Sequence, residues 1–234
     1  MKARTFHRLL GLALFAFILN ASVTGVLRAN AKWLYWKDRP FRQKPVALTA
    51  PSVGIGLVFE VSQEVFGPET RIGRVELKLL AQKPFYLVAA DGPGKKVLLV
   101  DATSGQIIPR IDPEMAVQIA KSFVGEQGHV DQIEEIAAFR ARKASEARPV
   151  YRILFDDPTR TEVFVDQRTG ESVSILDRGR RFGLWVARFH ELDFSGMSQI
   201  ALTLLGLGLC ALTLVGVRLG LGGKKTRNTQ EVLK

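Results

Sequence analysis

Two long uncharged runs, one near each end, constrain this chain more than anything else in it. LLGLALFAFILNASVTGVL, from Leu9 to Leu27, passes nineteen residues without a charge, and IALTLLGLGLCALTLVGV, from Ile200 to Val217, passes eighteen. A helix rises 1.5 Å per residue, so about 20 such residues cross a hydrocarbon core of about 30 Å. The runs predict transmembrane helices over 9–27 and 197–221. Lys2, Arg4 and Arg8 flank the first, and Arg218, Lys224, Lys225, Arg227 and Lys234 flank the second against Glu231 alone. The positive-inside bias then puts an N-terminal segment 1–8 and a basic tail 222–234 in the cytoplasm, with 28–196 on the outer side. A cleaved signal peptide is the rival for the first run, with Ala29-Asn30-Ala31 before Lys32 as the small-x-small site. The length of the run and Arg28 beside that site favour a retained span.

The net charge of +10 has the same topological origin. Segment 28–196 holds 25 basic and 22 acidic residues, so no nucleic-acid footprint is present there. The single cysteine, Cys210, lies inside the second run, which excludes a disulfide framework and a Cys-based zinc site outside the membrane.

Between the runs the chain repeats itself. KPFYLVAADGPGKKVLLVDATSGQII aligns without a gap on RPVYRILFDDPTRTEVFVDQRTGESV, 65 residues later. Pro84, Tyr86, Asp91, Pro93, Val100, Asp101 and Gly105 meet Pro149, Tyr151, Asp156, Pro158, Val165, Asp166 and Gly170. In the second copy, Asp112 and Pro113 open a predicted helix carrying Met115, Ile119 and Phe123 at helical spacing, which Gly125 ends. Strands are predicted at Ile133–Arg142, Val150–Asp156, Glu162–Asp166 and Glu171–Leu176, with Tyr151, Ile153 and Phe155 alternating. In the first copy Ser52 caps a predicted helix bearing Ile55, Phe59 and Phe66, ended by Gly67-Pro68, before strands at Arg74–Leu80, Phe85–Ala90 and Lys96–Asp101. The offset there is nearer 58, which places a longer connection in the second copy around RARKASEARP. A helix followed by an antiparallel sheet, twice over, is α+β. The units are assigned to 51–110 and 111–178, each too small for a generous core, so they are expected to pack together.

Two segments join the repeat to the membrane. RANAKWLYWKDRPFRQKP, within 28–50, sets Trp33, Tyr35 and Trp36 among basic residues, as a membrane interface favours, and then turns to a linker at Pro40 and Pro45. In 179–196, Phe182, Trp185, Val186 and Phe189 form an apolar stripe opposed by Arg181, Arg188 and Glu191. That segment is either an amphipathic helix on the membrane surface or the end of a helix entering the bilayer.

YRILFDDPTRTEVFVDQRTGE and YLVAADGPGKKVLLVDATSGQ both resemble the PepSY domain. Phe6-His7-Arg8-Leu9-Leu10-Gly11-Leu12 with Thr24-Gly25, and Arg188-Phe189-His190-Glu191 before a glycine-rich span, resemble PepSY-associated transmembrane segments. The resemblance implies a two-span relative of the iron-regulated membrane proteins in a bacterial plasma (inner) membrane, with its PepSY-like units on the periplasmic side. Larger relatives have four spans or more and serve iron uptake, some as haem-containing ferric-siderophore reductases. Isolated PepSY units bind or restrain partner proteins.

Haem b is thus the cofactor to weigh, with His7 and His190 as axial ligands. The predicted topology sets them about one bilayer core apart, roughly 30 Å, too far to hold one haem in a monomer. A homodimer or a partner can supply a second ligand; the favoured reading gives His7 an interfacial role and the protein no cofactor. His129 is expected in an exposed turn, and His190-Glu191-Leu192-Asp193 lacks a supporting ligand cluster. No nucleophile elbow occurs, and Gly54-x-Gly56 lies within a helix candidate rather than after a strand. Asp101 and Asp166 are read as turn-formers. Gly216-x-x-x-Gly220 and Ala21-x-x-x-Gly25 permit close helix approach, by default of one span on the other, and Asn20 is expected to hydrogen-bond across a helix interface. The expectation is a non-catalytic membrane protein that docks or restrains an envelope partner through strand edges and the turns at Asp91–Gly94 and Asp156–Thr159, in iron uptake or membrane redox. The alternative is a haem-b electron-transfer subunit.

Overall fold

The computed structural model describes residues 3–34, 51–92, 96–124, 128–141, 144–192 and 198–231. The predicted linker prolines Pro40 and Pro45, the interfacial Tyr35 and Trp36, the helix stop at Gly125, Pro93 of the first turn and Asp193 lie outside the described residues, as does the Trp33 side chain. In chain order the elements are α1 (Ala3–Ala29), α2 (Ala31–Leu34), α3 (Ile55–Phe66), β1 (Ile72–Leu80), β2 (Lys83–Ala90), β3 (Val97–Asp101), β4 (Ile107–Ile108), α4 (Pro113–Val124), β5 (Val130–Phe139), β6 (Arg148–Phe155), β7 (Glu162–Asp166), β8 (Ser172–Leu176), α5 (Arg178–Glu191) and α6 (Ser198–Glu231). They fall into two compact units, 39–178 and 1–38 with 179–234.

The 39–178 unit is α+β, with two antiparallel four-stranded sheets in the orders β1-β2-β3-β4 and β5-β6-β7-β8. Both helices carry the predicted apolar spacing, but their starts differ. Asp112 caps α4, its Oδ1 accepting from the Met115 amide at 2.6 Å. Ser52 does not cap α3: the N-cap is Gly54, with no side-chain bond, so the helix starts two residues later than a Ser52 cap implies. Gly67 ends α3 as expected, at φ +100°, where a side chain would be strained. The short strand β4 has no counterpart among the predicted strands; two residues cannot show a period.

The change of offset has a simple cause. Ala81 and Gln82, at φ 49° and 66°, turn β1 directly into β2, whereas residues 140–147 join β5 to β6. One extra residue in β5 and six in that connection account for the change from 58 to 65.

Two cores form. Val58 of α3 meets Tyr86, Val88, Leu98 and Val100 on one face of the first sheet. The opposite face, with Phe85, Leu87 and Leu99, shares a larger core with Ala116, Ile119 and Ala120 of α4 and with Tyr151, Ile153, Phe155, Val163 and Val165 of the second sheet. The first sheet is thus buried on both sides, and the repeats fold as one body.

In the other unit, α1 and α6 are each long and apolar enough to cross a membrane. They run antiparallel and interlock through glycines. Leu212 fills the space over Gly11, Leu14 lies 3.2 Å from where a Cβ on Gly208 would sit, and His7 Cε1 lies 3.1 Å from that position on Gly216. Gly216 therefore serves the contact between the two apolar helices, as expected. Gly25 does not: it lies under His190 of α5, whose Cε1 would be 3.6 Å from an added Cβ. The surroundings of Gly220 lie outside the described residues. α5 is a helix of its own, separated from α6 by residues 193–197.

Candidate functional site: a charged sheet and a helical latch

The residues that the two copies share build the frame. In the first copy the Tyr86 hydroxyl donates to Val53 O at 3.0 Å, the Val53 amide donates to Ala102 O and the Ala102 amide to Pro84 O. In the second, Tyr151 donates to Ile111 O at 3.1 Å, Ile111 to Gln167 O and Gln167 to Pro149 O. Each tyrosine thus pins the start of a helix to the middle of its sheet. Asp101 and Asp166 do equal work at the turns. Asp101 Oδ1 accepts from the amides of Thr103 and Ser104 at 2.7 and 3.0 Å, and Asp166 Oδ1 accepts from Arg168 and Thr169 at 2.8 and 3.0 Å. Gly105 and Gly170 close these turns at φ 78° and 66°. The expected turn role of both aspartates is what the geometry displays.

Chemistry particular to the second copy lies on its sheet. Arg152 of β6 holds Glu134 of β5 at 2.9 Å and Glu162 of β7 at 3.0 Å, so one guanidinium bridges three strands. The hydrogen bonds it donates to Glu162 and then to Glu134 raise its pKa further, against some desolvation. Arg110 pairs with Glu135 and donates to the Tyr151 hydroxyl at 3.1 Å, its guanidinium 5.2 Å from the ring centroid. Its pKa is likewise raised, first by Glu135 and then by Tyr151. Asp131, the third acid of β5, pairs with Arg160 at 2.8 Å. All three acids on this edge strand therefore face an arginine.

The β6–β7 hairpin, which includes the predicted contact turn Asp156–Thr159, is held from inside. Asp157 Oδ1 accepts from the Thr161 amide at 2.6 Å, and Oδ2 accepts from the hydroxyls of Thr159 at 2.5 Å and Thr161 at 2.8 Å. Arg160 adopts φ 49° at the tip and also lies 3.4 Å from Asp156. His129, exposed as expected, contributes only its carbonyl nearby, accepting from the Asp156 amide.

The other cluster joins α1 to the end of α5. Asn20, Thr24 and Arg28 follow one another at four-residue spacing, hence along one face of α1. Asn20 Nδ2 donates to Phe189 O at 2.8 Å, so Asn20 bonds across a helix interface as expected. Thr24 Oγ1 lies 3.0 Å from His190 Nδ1, and Arg28 pairs with Glu191 at 2.8 Å. Thr24 Oγ1 also lies 2.5 Å from Asn20 O, and when its proton goes there the His190 contact is made with Nδ1–H as the donor. Phe189 O lies in the last turn of α5, where its only backbone donor among the described residues is the Leu192 amide at a long 3.4 Å. Three side chains of α1 thus latch the last turn of α5.

His7 and His190 are not brought together. His190 meets α1 at Thr24, seventeen residues from His7, which is about 25 Å along a helix. His7 instead sits against Gly216, its Nδ1 buried with no hydrogen-bond partner. The two do not fit the axial ligands of one haem within a chain. Glu191 of the His190–Asp193 run is engaged by Arg28, and among the described residues no group of three or more His, Cys, Asp or Glu side chains gathers at a metal-binding distance.

Periodicity did not disclose the arginine bridges, because the partners sit on different strands. The latch had one legible sign, the i, i+4, i+8 series of polar residues within an apolar run.

Against known proteins, the model of the PepSY domain, described as peptidase propeptide and YPEB domain, matches residues 110–176. The second repeat, from Arg110 to Leu176, is therefore a PepSY domain. No curated protein matches the chain. Among solved structures, a 1.85 Å crystal structure of a Clostridium difficile 630 protein, provisionally described as a lipoprotein, is similar over 60% of this chain and 99% of its own at 12% identity, with a TM-score of 0.24.

Proposed function

We propose that this is a two-span plasma-membrane protein that presents its repeat on the periplasmic side, with both termini cytoplasmic, and binds or restrains an envelope protein there. One observation supports this most: the residues common to both copies act on the fold, while the edge strand β5 of the second copy carries three acids, each paired with an arginine. β5 is a ten-residue edge strand, and Ile133 on it is 43% exposed. Edge strands offer backbone donors and acceptors to a further chain. The arginine partners neutralise the acids of β5 without hiding its backbone, and the braced hairpin beside it offers Arg160. Service to iron uptake or membrane redox comes from the family resemblance alone. The interlock of α1 with α6 favours a retained first span over a cleaved signal.

Photo-crosslinking in intact cells tests this reading. A photoreactive residue at Ile133 should give a discrete adduct with an envelope protein, and one at exposed Lys121 of α4 should not. Absence of any adduct from Ile133 and from Arg160 sinks it. An optical spectrum before and after dithionite addresses the haem alternative directly; a reducible Soret band would require each histidine to find its second ligand in another chain.

A further inference from the structure

We infer that α5 is embedded in the outer leaflet, its Trp185 edge against lipid at the boundary of head groups and acyl chains, and that the latch on α1 sets its depth. The inference rests on the reading of α1 and α6 as spans. The uncharged run of α1 ends at Leu27, and Asn20 lies seven residues inside it, about 10 Å below the edge. Asn20 holds the Phe189 carbonyl at that level. Amphipathic interfacial helices bury their apolar face about 5–10 Å deep, so the last turn of α5 sits at their lower limit. A polar helix end at such depth needs a donor, because no water reaches it, and Asn20 supplies one.

The faces of α5 agree with that placement. Gly183, Val186 and Ala187 are buried, whereas Trp185 is 58% and Phe182 46% exposed. Trp185 packs on Phe189 with the rings tilted by 47° and their centroids 4.0 Å apart, which continues an aromatic edge down to the latched turn. Tryptophan is favoured where one side is apolar and the other wet. Exposed Val23 and Val26 of α1, beside the latch, extend the apolar surface. Arg178 and Arg188 are exposed on the same helix, and their charge suits the phosphates of an anionic leaflet, to which Arg188 can snorkel. The latch distinguishes this from a helix lying loosely on the surface: its end is fixed to a transmembrane partner.

The test uses the full chain in phosphatidylglycerol-containing liposomes, with Trp33→Phe and Trp36→Phe so that Trp185 is the only emitter. A spin label near the head-group end of the acyl chain should lower Trp185 emission more than a label near the chain terminus and more than aqueous acrylamide. Quenching by acrylamide alone overturns the inference and leaves the aromatic edge as a surface for a protein. Asn20→Leu should then shift quenching from lipid label to acrylamide; unchanged quenching overturns the latch as the depth-setter. Cys210 separates failures, since a membrane-impermeant maleimide should not label it if α6 spans. A protected Cys210 with Trp185 in water rejects the α5 inference alone, and a labelled Cys210 rejects the spans as well.

Discussion

The two repeats share a frame and part company on one face of their sheets. In the first, the face opposite α3 carries Phe85, Leu87 and Leu99, all buried in the core shared with the second repeat. The aligned positions in the second are Val150, Arg152 and Phe164. A leucine has become an arginine with two carboxylate partners. Val150 and Phe164 stay buried like their counterparts, so the two faces differ at the one position where charge replaces packing. An apolar face there would invite a further sheet or a second copy, and the Arg152 bridge removes that option.

Exchanging the two residues is the severest way to break this comparison. Leu87→Arg forces an unpaired charge into a fully packed core and should cost more than about 4 kcal/mol, enough to leave the 39–178 unit unfolded. Arg152→Leu, the reverse exchange, should cost far less, about 1–2 kcal/mol, because the guanidinium and Glu134 are partly solvated and only Glu162 is left largely enclosed. Chemical unfolding of the solubilised chain measures both. Equal costs would show that the second sheet is as enclosed as the first.

The turn aspartates come next. Asp166 is 3% exposed, whereas Asp101 is only partly buried. Asp166→Ala leaves two enclosed amides without an acceptor and should cost about 1–3 kcal/mol, while Asp101→Ala, whose amides reach water, should cost less than about 1 kcal/mol. An equal loss in thermal stability would contradict the difference in enclosure. Removing the tyrosine hydroxyls sharpens the opposite point. Tyr86→Phe and Tyr151→Phe each delete one bond to the carbonyl before a helix, so each should cost about 1 kcal/mol. The Tyr151 variant should lie at the upper end, because Arg110 also loses a partner there.

Much of this was legible before any coordinates, and the reasons differ by region. The β6 alternation of Tyr151, Ile153 and Phe155 reported a half-buried strand because period two is what a one-sided sheet imposes. Asp112 before Pro113 announced α4, whereas Ser52 misled for α3: a capping residue type is no cap unless the helix starts beside it, and two further residues intervene. The packing of the repeats into one body was suggested by size, but the core that joins Leu80 and Phe85 to Ile119 depends on a three-dimensional match no local pattern carries. The same holds for the latch. Asn20 had to find a partner inside an apolar run, but its partner is a backbone carbonyl 169 residues away, which any sequence can supply.

The smallest effect concerns the ionic tie between the repeats. Lys78 of β1 reaches Glu171, beside the turn into β8, as well as Glu76 at 3.0 Å on its own strand. Burial works against the Lys78 charge, but the hydrogen bonds it donates to Glu171 and Glu76 outweigh it, and its pKa is raised above 10.5. That stabilisation is complete at neutral pH and is lost only as pH rises through the raised value. Glu76 moves the other way: the hydrogen bond from Lys78 holds its carboxyl below 4.5, against a smaller upward push from burial. Its share is present above 4.5 and disappears as pH falls through the lowered value. Lys78→Met should therefore cost less than about 1 kcal/mol at pH 7, and the gap from wild type should narrow as pH drops below 4.5. Urea midpoints of both proteins from pH 7 down to pH 3 decide it. A gap that stays the same from pH 7 to pH 3 would mean that the ion pairs of Lys78 contribute nothing, and the repeats would then be joined by packing alone.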